Sequence, residues 1–207
     1  MVMKKTLSAV ALSAICIAAA TTSAVSHAAS NAPSFDNAGI SYVNLDTSGG
    51  SASGFAIDFE SSALANNWLI SVDYLYASDD LTVNNINVDF EASNLYANLG
   101  YKFYANDSFT AYASGGVTWV DSQASSSALS VNDDDTGWNL QLGVRSKLTE
   151  LFEIDANVRH VDVFDTSDQE LSLTARYYLT ANASLGLNYT FADSDSSYFG
   201  LGGSYHF

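Results

Sequence analysis

Residues 198–207 read Tyr198-Phe199-Gly200-Leu201-Gly202-Gly203-Ser204-Tyr205-His206-Phe207. In an extended chain successive side chains point to opposite faces. Leu201, Tyr205 and Phe207 then share one face, and Gly200, Gly202, Ser204 and His206 share the other. The first face is apolar and aromatic; the second is small or polar. That pattern suits a strand with lipid on one side and a narrow polar interior on the other, the wall of a transmembrane β-barrel.

The same alternation runs back through the chain. Ten runs show it, at roughly 38–46, 52–61, 68–78, 90–103, 108–121, 136–148, 151–163, 169–180, 183–193 and 197–207. Leu171, Leu173, Ala175, Tyr177 and Leu179 face out, against Ser172, Thr174, Arg176 and Tyr178. Leu185, Leu187, Tyr189 and Phe191 face out, against Gly186, Asn188 and Thr190. Trp138, Leu140, Leu142 and Val144 face out, against Asn139, Gln141, Gly143 and Arg145. The first run, Ile40-Ser41-Tyr42-Val43-Asn44-Leu45, is ambiguous in phase, and its faces are left unassigned.

An even strand count puts both termini on one side, the periplasm. Counted up and down from residue 38, the periplasmic rim collects Phe59, Trp68, Tyr101, Phe103, Phe109, Phe152, Tyr177, Tyr205 and Phe207. The outer rim collects Tyr76, Trp119, Trp138, Tyr189, Phe191 and Phe199. Ala97, Ala111, Ala113, Leu140, Leu142 and Leu187 fall between. Two aromatic girdles around an aliphatic band are the signature of a barrel that meets two membrane interfaces. Periplasmic turns are expected to be short (Ala105-Asn106-Asp107, Thr149-Glu150, Thr180-Ala181-Asn182). The longest connections, about 79–88 and 122–135, fall on the outer side. The other outer loops are tight, so the barrel is expected to protrude little. Eight strands are the alternative, if the first hairpin lies outside the wall. A soluble β-sandwich or lipocalin-like barrel would show the same alternation with its apolar face turned inward. The girdles, Phe207 and the glycine-rich polar face favour the membrane version.

The N-terminus reads as a Sec signal peptide over residues 1–28. Lys4 and Lys5 supply the positive region, Leu7 to Ala20 the apolar stretch, and Ser26-His27-Ala28 the small-residue cleavage site. A lipoprotein reading would use Cys16, but Ile15 stands where a small residue is needed. The barrel domain then spans 29–207, without cysteine, so disulfides, zinc–thiolate sites and cysteine nucleophiles are excluded from it. It carries all 23 acidic residues of the chain and five basic ones, Lys102, Arg145, Lys147, Arg159 and Arg176. Nucleic acid is excluded as a partner, because phosphate binding needs clustered Lys and Arg. Disorder is excluded by the 13% aromatic content and the regular apolar spacing. The single proline, Pro33, precedes the first run and interrupts no strand pairing.

Gly202 followed by Tyr205-His206-Phe207 resembles the C-terminal signal of bacterial outer-membrane proteins. With the leader and the girdled hairpins, the exported chain resembles the small outer-membrane barrels of the OmpA/OmpX/OmpW type, without a periplasmic domain. The resemblance implies export through the Sec translocon and recognition of Gly202, Tyr205 and Phe207 by the barrel-assembly machinery. It also implies residence among outer-membrane lipids and lipopolysaccharide. It specifies no member of the group and no oligomeric state.

All five basic residues of the barrel domain phase inward, as do Asp58, Glu60, Asp73, Glu153, Asp155 and Glu170. Opposed charges in a narrow lumen form a polar core, because burial of charge is tolerated only with pairing. The interior is expected to be plugged, small barrels having little free bore; the competing reading is a selectivity-determining ion path. Asp79-Asp80, Asp133-Asp134-Asp135, Asp193 and Asp195 read as solvated loop charge, although oxygen ligands also suit Ca²⁺ or Mg²⁺. His160-Val161-Asp162 could supply a general base, but nothing fixes a nucleophile against it; Ser167 is merely near in sequence. Ser125-Ser126-Ser127 reads as a flexible linker or a surface contact. No metal or cofactor motif is present. The sequence therefore predicts a ten-stranded, non-enzymatic outer-membrane barrel with a structural or surface-interaction role. A narrow porin is the alternative, and a hydrolase acting on lipid or peptide is third.

Overall fold

The strands form where inward and outward residues alternate without a break, and they end at short polar turns. The computed structural model describes residues 32–207 apart from 48–49, 66, 84–85, 127–129 and 193–195. The leader, Ser127, Asp193 and Asp195 lie outside the described residues. The strands are β1 (Asn37–Thr47), β2 (Gly50–Ala65), β3 (Trp68–Val83), β4 (Ile86–Ala105), β5 (Phe109–Ser126), β6 (Ser130–Thr149), β7 (Phe152–Val163), β8 (Thr166–Thr180), β9 (Ala183–Phe191) and β10 (Ser197–His206). Each pairs antiparallel with its chain neighbours, and β1 closes on β10, so the sheet has no free edge. The ten-strand reading holds, and the first hairpin belongs to the wall.

Following hydrogen-bonded partners around the wall from Asn37 leads through Glu60, Ser71, Asn98, Gly116 and Asn139 to Val161. The walk starts at the end of β1 that carries the termini and reaches the far end of β7. The strands are therefore tilted and staggered, as closure requires. The end bearing the termini is the lower end and the opposite end the upper.

The apolar faces point outward. Leu142 is 60% exposed, Leu140 56% and Leu187 49%, while Arg145, on the opposite face of β6, is 2% exposed. A water-soluble barrel would reverse these values. Aromatic contacts gather at both ends of this apolar band. The lower end has Trp68 against Tyr101, Tyr104 against Phe109 and Phe59 stacked on Phe207. The upper end has Phe55 against Tyr74 and Tyr76, Trp138 against His160, and Tyr189 against Phe191. The ambiguous first strand resolves with Asn37 and Val43 inside and Ile40 and Tyr42 outside.

The upper connections differ from expectation. The stretches 79–88 and 122–135 are largely strand, not loop. Strand pairing of β3 with β4 continues to Val83–Ile86, of β4 with β5 to Val88–Ser126, and of β5 with β6 to Ser125–Ser130. Asp79, Asp80, Asp133, Asp134, Asp135, Ser125 and Ser126 all lie within strands. The opposite side of the barrel stays short, ending at Thr47–Gly50 and Phe191–Ser197. One side thus rises as a four-stranded extension, and the expectation that the barrel protrudes little is corrected. The stretch 122–135 is mostly polar on both faces, so an apolarity criterion does not register it as strand, whereas in 79–88 Leu81, Val83, Ile86 and Val88 stand among polar residues and carry a short strand signal.

Candidate functional site

The interior is built around Arg145 on β6. Its Nη1 and Nη2 donate to the two carboxylate oxygens of Glu60 at 2.8 and 2.9 Å, and its Nε donates to Asp155 at 2.8 Å. Glu60 also accepts from the Asn37 side-chain amide at 2.8 Å, and Asp155 accepts from the Tyr112 hydroxyl and Asn157 at 3.1 Å. Bidentate, charge-assisted bonds of this kind fix geometry as well as charge. Asp155 is the neighbour of Arg145 along the sheet, whereas the bonds to Glu60 cross the bore and tie β6 to β2.

A second knot sits around Arg159 on β7. It reaches Asp73 at 3.2 Å, Glu170 at 3.4 Å and the Gln141 carbonyl oxygen at 3.2 Å, and its guanidinium lies 4.0 Å from the centre of the Tyr96 ring. The Tyr96 hydroxyl donates to Glu170 at 3.0 Å. A third group lies at the lower end, where Arg176 pairs with Glu153 at 3.1 Å and the Tyr178 hydroxyl donates to the same carboxylate at 3.2 Å. His206 stacks beside Tyr178 and shares a 2.9 Å hydrogen bond with Ser184.

Residues 32–36, ahead of β1, turn up into the lower mouth. Phe35 is 2% exposed and forms an apolar cluster with Leu69 and Tyr112, meeting the Tyr112 ring edge-on at 5.3 Å. The Arg145 guanidinium covers the other side of Phe35, 4.0 Å from the ring centre, and Nη1 also donates to the Ser34 carbonyl at 2.7 Å. Asp36 holds the segment in place, accepting from the Ser62 amide at 2.6 Å and the Ser62 hydroxyl at 2.8 Å. The Phe207 amide in turn donates to the Asp36 carbonyl at 3.2 Å. The sequence reading did not find this stopper: Phe35 lies outside any alternating run, and its partners are distant in sequence.

The side chains singled out from sequence are distributed as follows. Arg145, Arg159, Arg176, Glu60, Asp73, Glu153, Asp155 and Glu170 point inward and are paired as described. Lys102 and Lys147 stand at the lower mouth, their ammonium groups 5.6 Å from the Phe35 ring and 4.7 Å from the Tyr178 ring. Asp58 points inward beside Gly39, with Arg176 and Arg145 as the nearest opposite charges, and makes no direct hydrogen bond or ion pair among the described residues. Trp68, Tyr101, Phe103, Trp138 and Tyr177 are exposed on the outer surface, while Trp119 and Phe152 are half-buried. Phe103 sits at a register shift between Lys102 and Tyr104. Tyr205 and Phe207 face outward at the lower end. Gly202 lies inside at the seam, where an added Cβ would come within 2.2 Å of the Ile40 carbonyl oxygen. His160 leans on Trp138 at the upper rim; Asp162 and Ser167 face each other across β7 and β8, and neither is bonded to His160.

Between the knots lies a cavity of about 190 Å³, lined by residues of all ten strands, with Arg145, Arg159 and Arg176 among them. Its β8–β10 wall is lined by small or polar residues, including Gly186, Gly200, Gly202, Ser172 and Asn188. The outer extension carries a different chemistry. Asp80 lies opposite Asp89, and Asp121 opposite Asp134, with Glu91 between the pairs. Residues 76–93 and 119–136 contain no Lys, Arg or His.

The chain is similar to several solved outer-membrane barrels. Ail, the attachment invasion locus protein of Yersinia pestis, is 15% identical over 83% of this chain and 95% of its own, with a TM-score of 0.44. The outer membrane protein OprG of Pseudomonas aeruginosa is 15% identical over 86% of this chain and 98% of its own, with a TM-score of 0.48. The KdgM porin is 11% identical over 82% and 99%, with a TM-score of 0.40. No curated protein matches the sequence. The family model for the outer membrane protein beta-barrel domain matches residues 7–207, nearly the whole length. With its closed ten-stranded wall, lipid-facing apolar band and polar interior, the chain belongs to the outer membrane protein β-barrel family and resides in the bacterial outer membrane.

Proposed function

We propose that this protein is a closed, non-conducting barrel that serves the envelope as a structural element and meets partners through its acidic outer extension. The observation that carries the reading is the Phe35–Arg145 closure. An aromatic ring fills the periplasmic mouth, and a fully paired guanidinium bridges the bore directly behind it. Residues that cross a narrow lumen in this way support rigidity rather than transport. The outer extension, with acidic side chains and no basic ones, attracts basic partners and repels anionic ones, steeply with ionic strength. On this reading the wall lies among outer-membrane lipids and lipopolysaccharide. The Sec translocon and the barrel-assembly machinery act only in biogenesis, and no cofactor or enzymatic step is involved.

The test is conductance of the refolded barrel in a planar lipid bilayer, with insertion checked by the heat-dependent gel shift. The native barrel is expected to stay silent, and the Phe35→Ala/Arg145→Ala variant to open. Regular current steps from the native protein would overturn the reading in favour of a narrow porin. The cavity within the lumen is the observation that favours this second reading.

A further inference from the structure

The outward face of the barrel is unevenly covered with bulky side chains. Across β4, β5 and β6 one register row reads Leu99, Gly115, Leu140, and the next reads Tyr101, Ala113, Leu142. Side chains of at most one carbon on β5 thus lie between four large ones, in a groove of about 720 Å³ open to the membrane. Leu140 leans over Gly115, where an added Cβ would stand 2.7 Å from its Cδ2. The groove follows these rows from β3 to β8, five strand spacings or about 24 Å, and climbs from the lower end toward the upper. Trp68 against Tyr101, ring centres 5.3 Å apart, closes it below. Its upper end is polar: His160 and Gln169 line it, directly opposite each other on β7 and β8. Both face outward, because Arg159, Val161 and Glu170 beside them are buried inside. Neither makes a hydrogen bond among the described residues. His160 rests on the girdle residue Trp138, ring centres 5.2 Å apart.

A groove that is apolar along most of its length and polar at one end matches an amphiphile, a hydrocarbon tail with a hydrogen-bonding head. It is continuous with the lipid-facing band, and its polar end lies on the outer-leaflet side. We infer that the groove is a binding site for one acyl chain of lipopolysaccharide, with His160 and Gln169 hydrogen-bonding the oxygens at the head of that chain. The site rests on the proposed placement of the wall among lipopolysaccharide. Lipopolysaccharide fits better than phospholipid, because its hydroxylated acyl chains carry a hydroxyl group below the headgroup and a phospholipid tail has none. A polar side chain turned toward hydrocarbon needs such a partner.

The experiment is native mass spectrometry of the detergent-solubilised barrel, titrated with purified lipid A or with phosphatidylethanolamine. Each variant is first shown to be folded by the heat-dependent gel shift. One lipid A per barrel is expected, held about tenfold more tightly than the phospholipid, the difference made by one or two hydrogen bonds. Ala113→Leu, which fills the groove, should release it. His160→Ala/Gln169→Ala should weaken it about tenfold, and decides the matter if Ala113→Leu does not fold. Ala175→Leu makes the same enlargement on β8 outside the groove and should change nothing. Lipid A bound equally by the native barrel and the groove variants would overturn the site while leaving the wall among lipopolysaccharide; no lipid A bound by any of them would overturn both. Equal affinity for the two lipids would also overturn the site. So would a dimer of barrels that Ala113→Leu prevents, since a second copy would then cover the groove. A conducting barrel that still holds lipid A through the groove would overturn the closed-barrel reading and leave the site standing.

Discussion

Arg145 is the side chain on which most of the interior depends. It satisfies two carboxylates, covers Phe35 and holds the Ser34 carbonyl. Replacing it strands Glu60 and Asp155 as unpaired charges, and the loss of one partner from a buried ion pair costs about 3–5 kcal/mol. Arg145→Met should therefore lower the unfolding free energy in vesicles by that amount. Adding Glu60→Gln and Asp155→Asn to the same chain should recover much of it, because the three groups act as one unit. If the triple variant is no better than the single, the loss is one of packing rather than of charge. The inward phase of Arg145 could be read from its place between Val144 and Ser146. Its partners could not, because a strand's period says which face a residue takes and nothing about which opposite strand it reaches. Phe35 was less legible still: with no alternation around it, only the tertiary fold shows where it goes.

At the scale of elements, three features carry expectations. The β7–β8 turn uses Phe164 and Asp165, both with φ of 55°, the left-handed conformation that favours Asn and Gly in two-residue hairpins. Left-handed residues with a Cβ cost about 1–2 kcal/mol each, so Phe164→Gly should stabilise the barrel to urea by about that much. In the extension Asp121 and Asp134 face each other across β5 and β6. Asp134→Lys should turn repulsion into attraction worth about 0.2–1 kcal/mol, measurable at low salt and fading at high salt. Gly202 poses a sharper question. The sequence associates it with recognition by the assembly machinery, but the seam gives it a geometric reason to be glycine, since a methyl group would strike β1. Gly202→Ala should slow refolding into vesicles in the absence of any other protein, as followed by the gel shift. Normal refolding there, with failure only in cells, would assign the glycine to recognition instead.

The whole molecule divides into a lipid-embedded wall and an acidic headpiece on one side of its outer rim. The wall was legible in the sequence because membrane burial imposes strict apolar alternation and aromatic interfaces, as in β6, β8 and β9. The headpiece was misread as loop, because strands standing in water need no such alternation, and Asp133-Asp134-Asp135 looks like solvated charge whether or not it is paired. If the two parts are separable, replacing residues 78–91 and 121–134, which hold Asp79, Asp80, Asp89, Glu91, Asp121, Asp133 and Asp134, by Asn-Gly turns should leave the unfolding midpoint of the wall unchanged while weakening binding of a basic peptide at low salt. A large drop in the midpoint would mean that the headpiece braces the wall.

The contact between the Phe207 amide and the Asp36 carbonyl has a consequence in time. Asp36 leaves the ribosome long before Phe207 does, and the segment that stops the mouth is therefore made first and tied down last. A chain interrupted before β10 would hold Phe35 in reach of its pocket but would lack both the strand that completes the ring and the amide that secures the stopper. Sealing thus reports closure: the stopper is secured only once β10 has joined β1 and completed the ring.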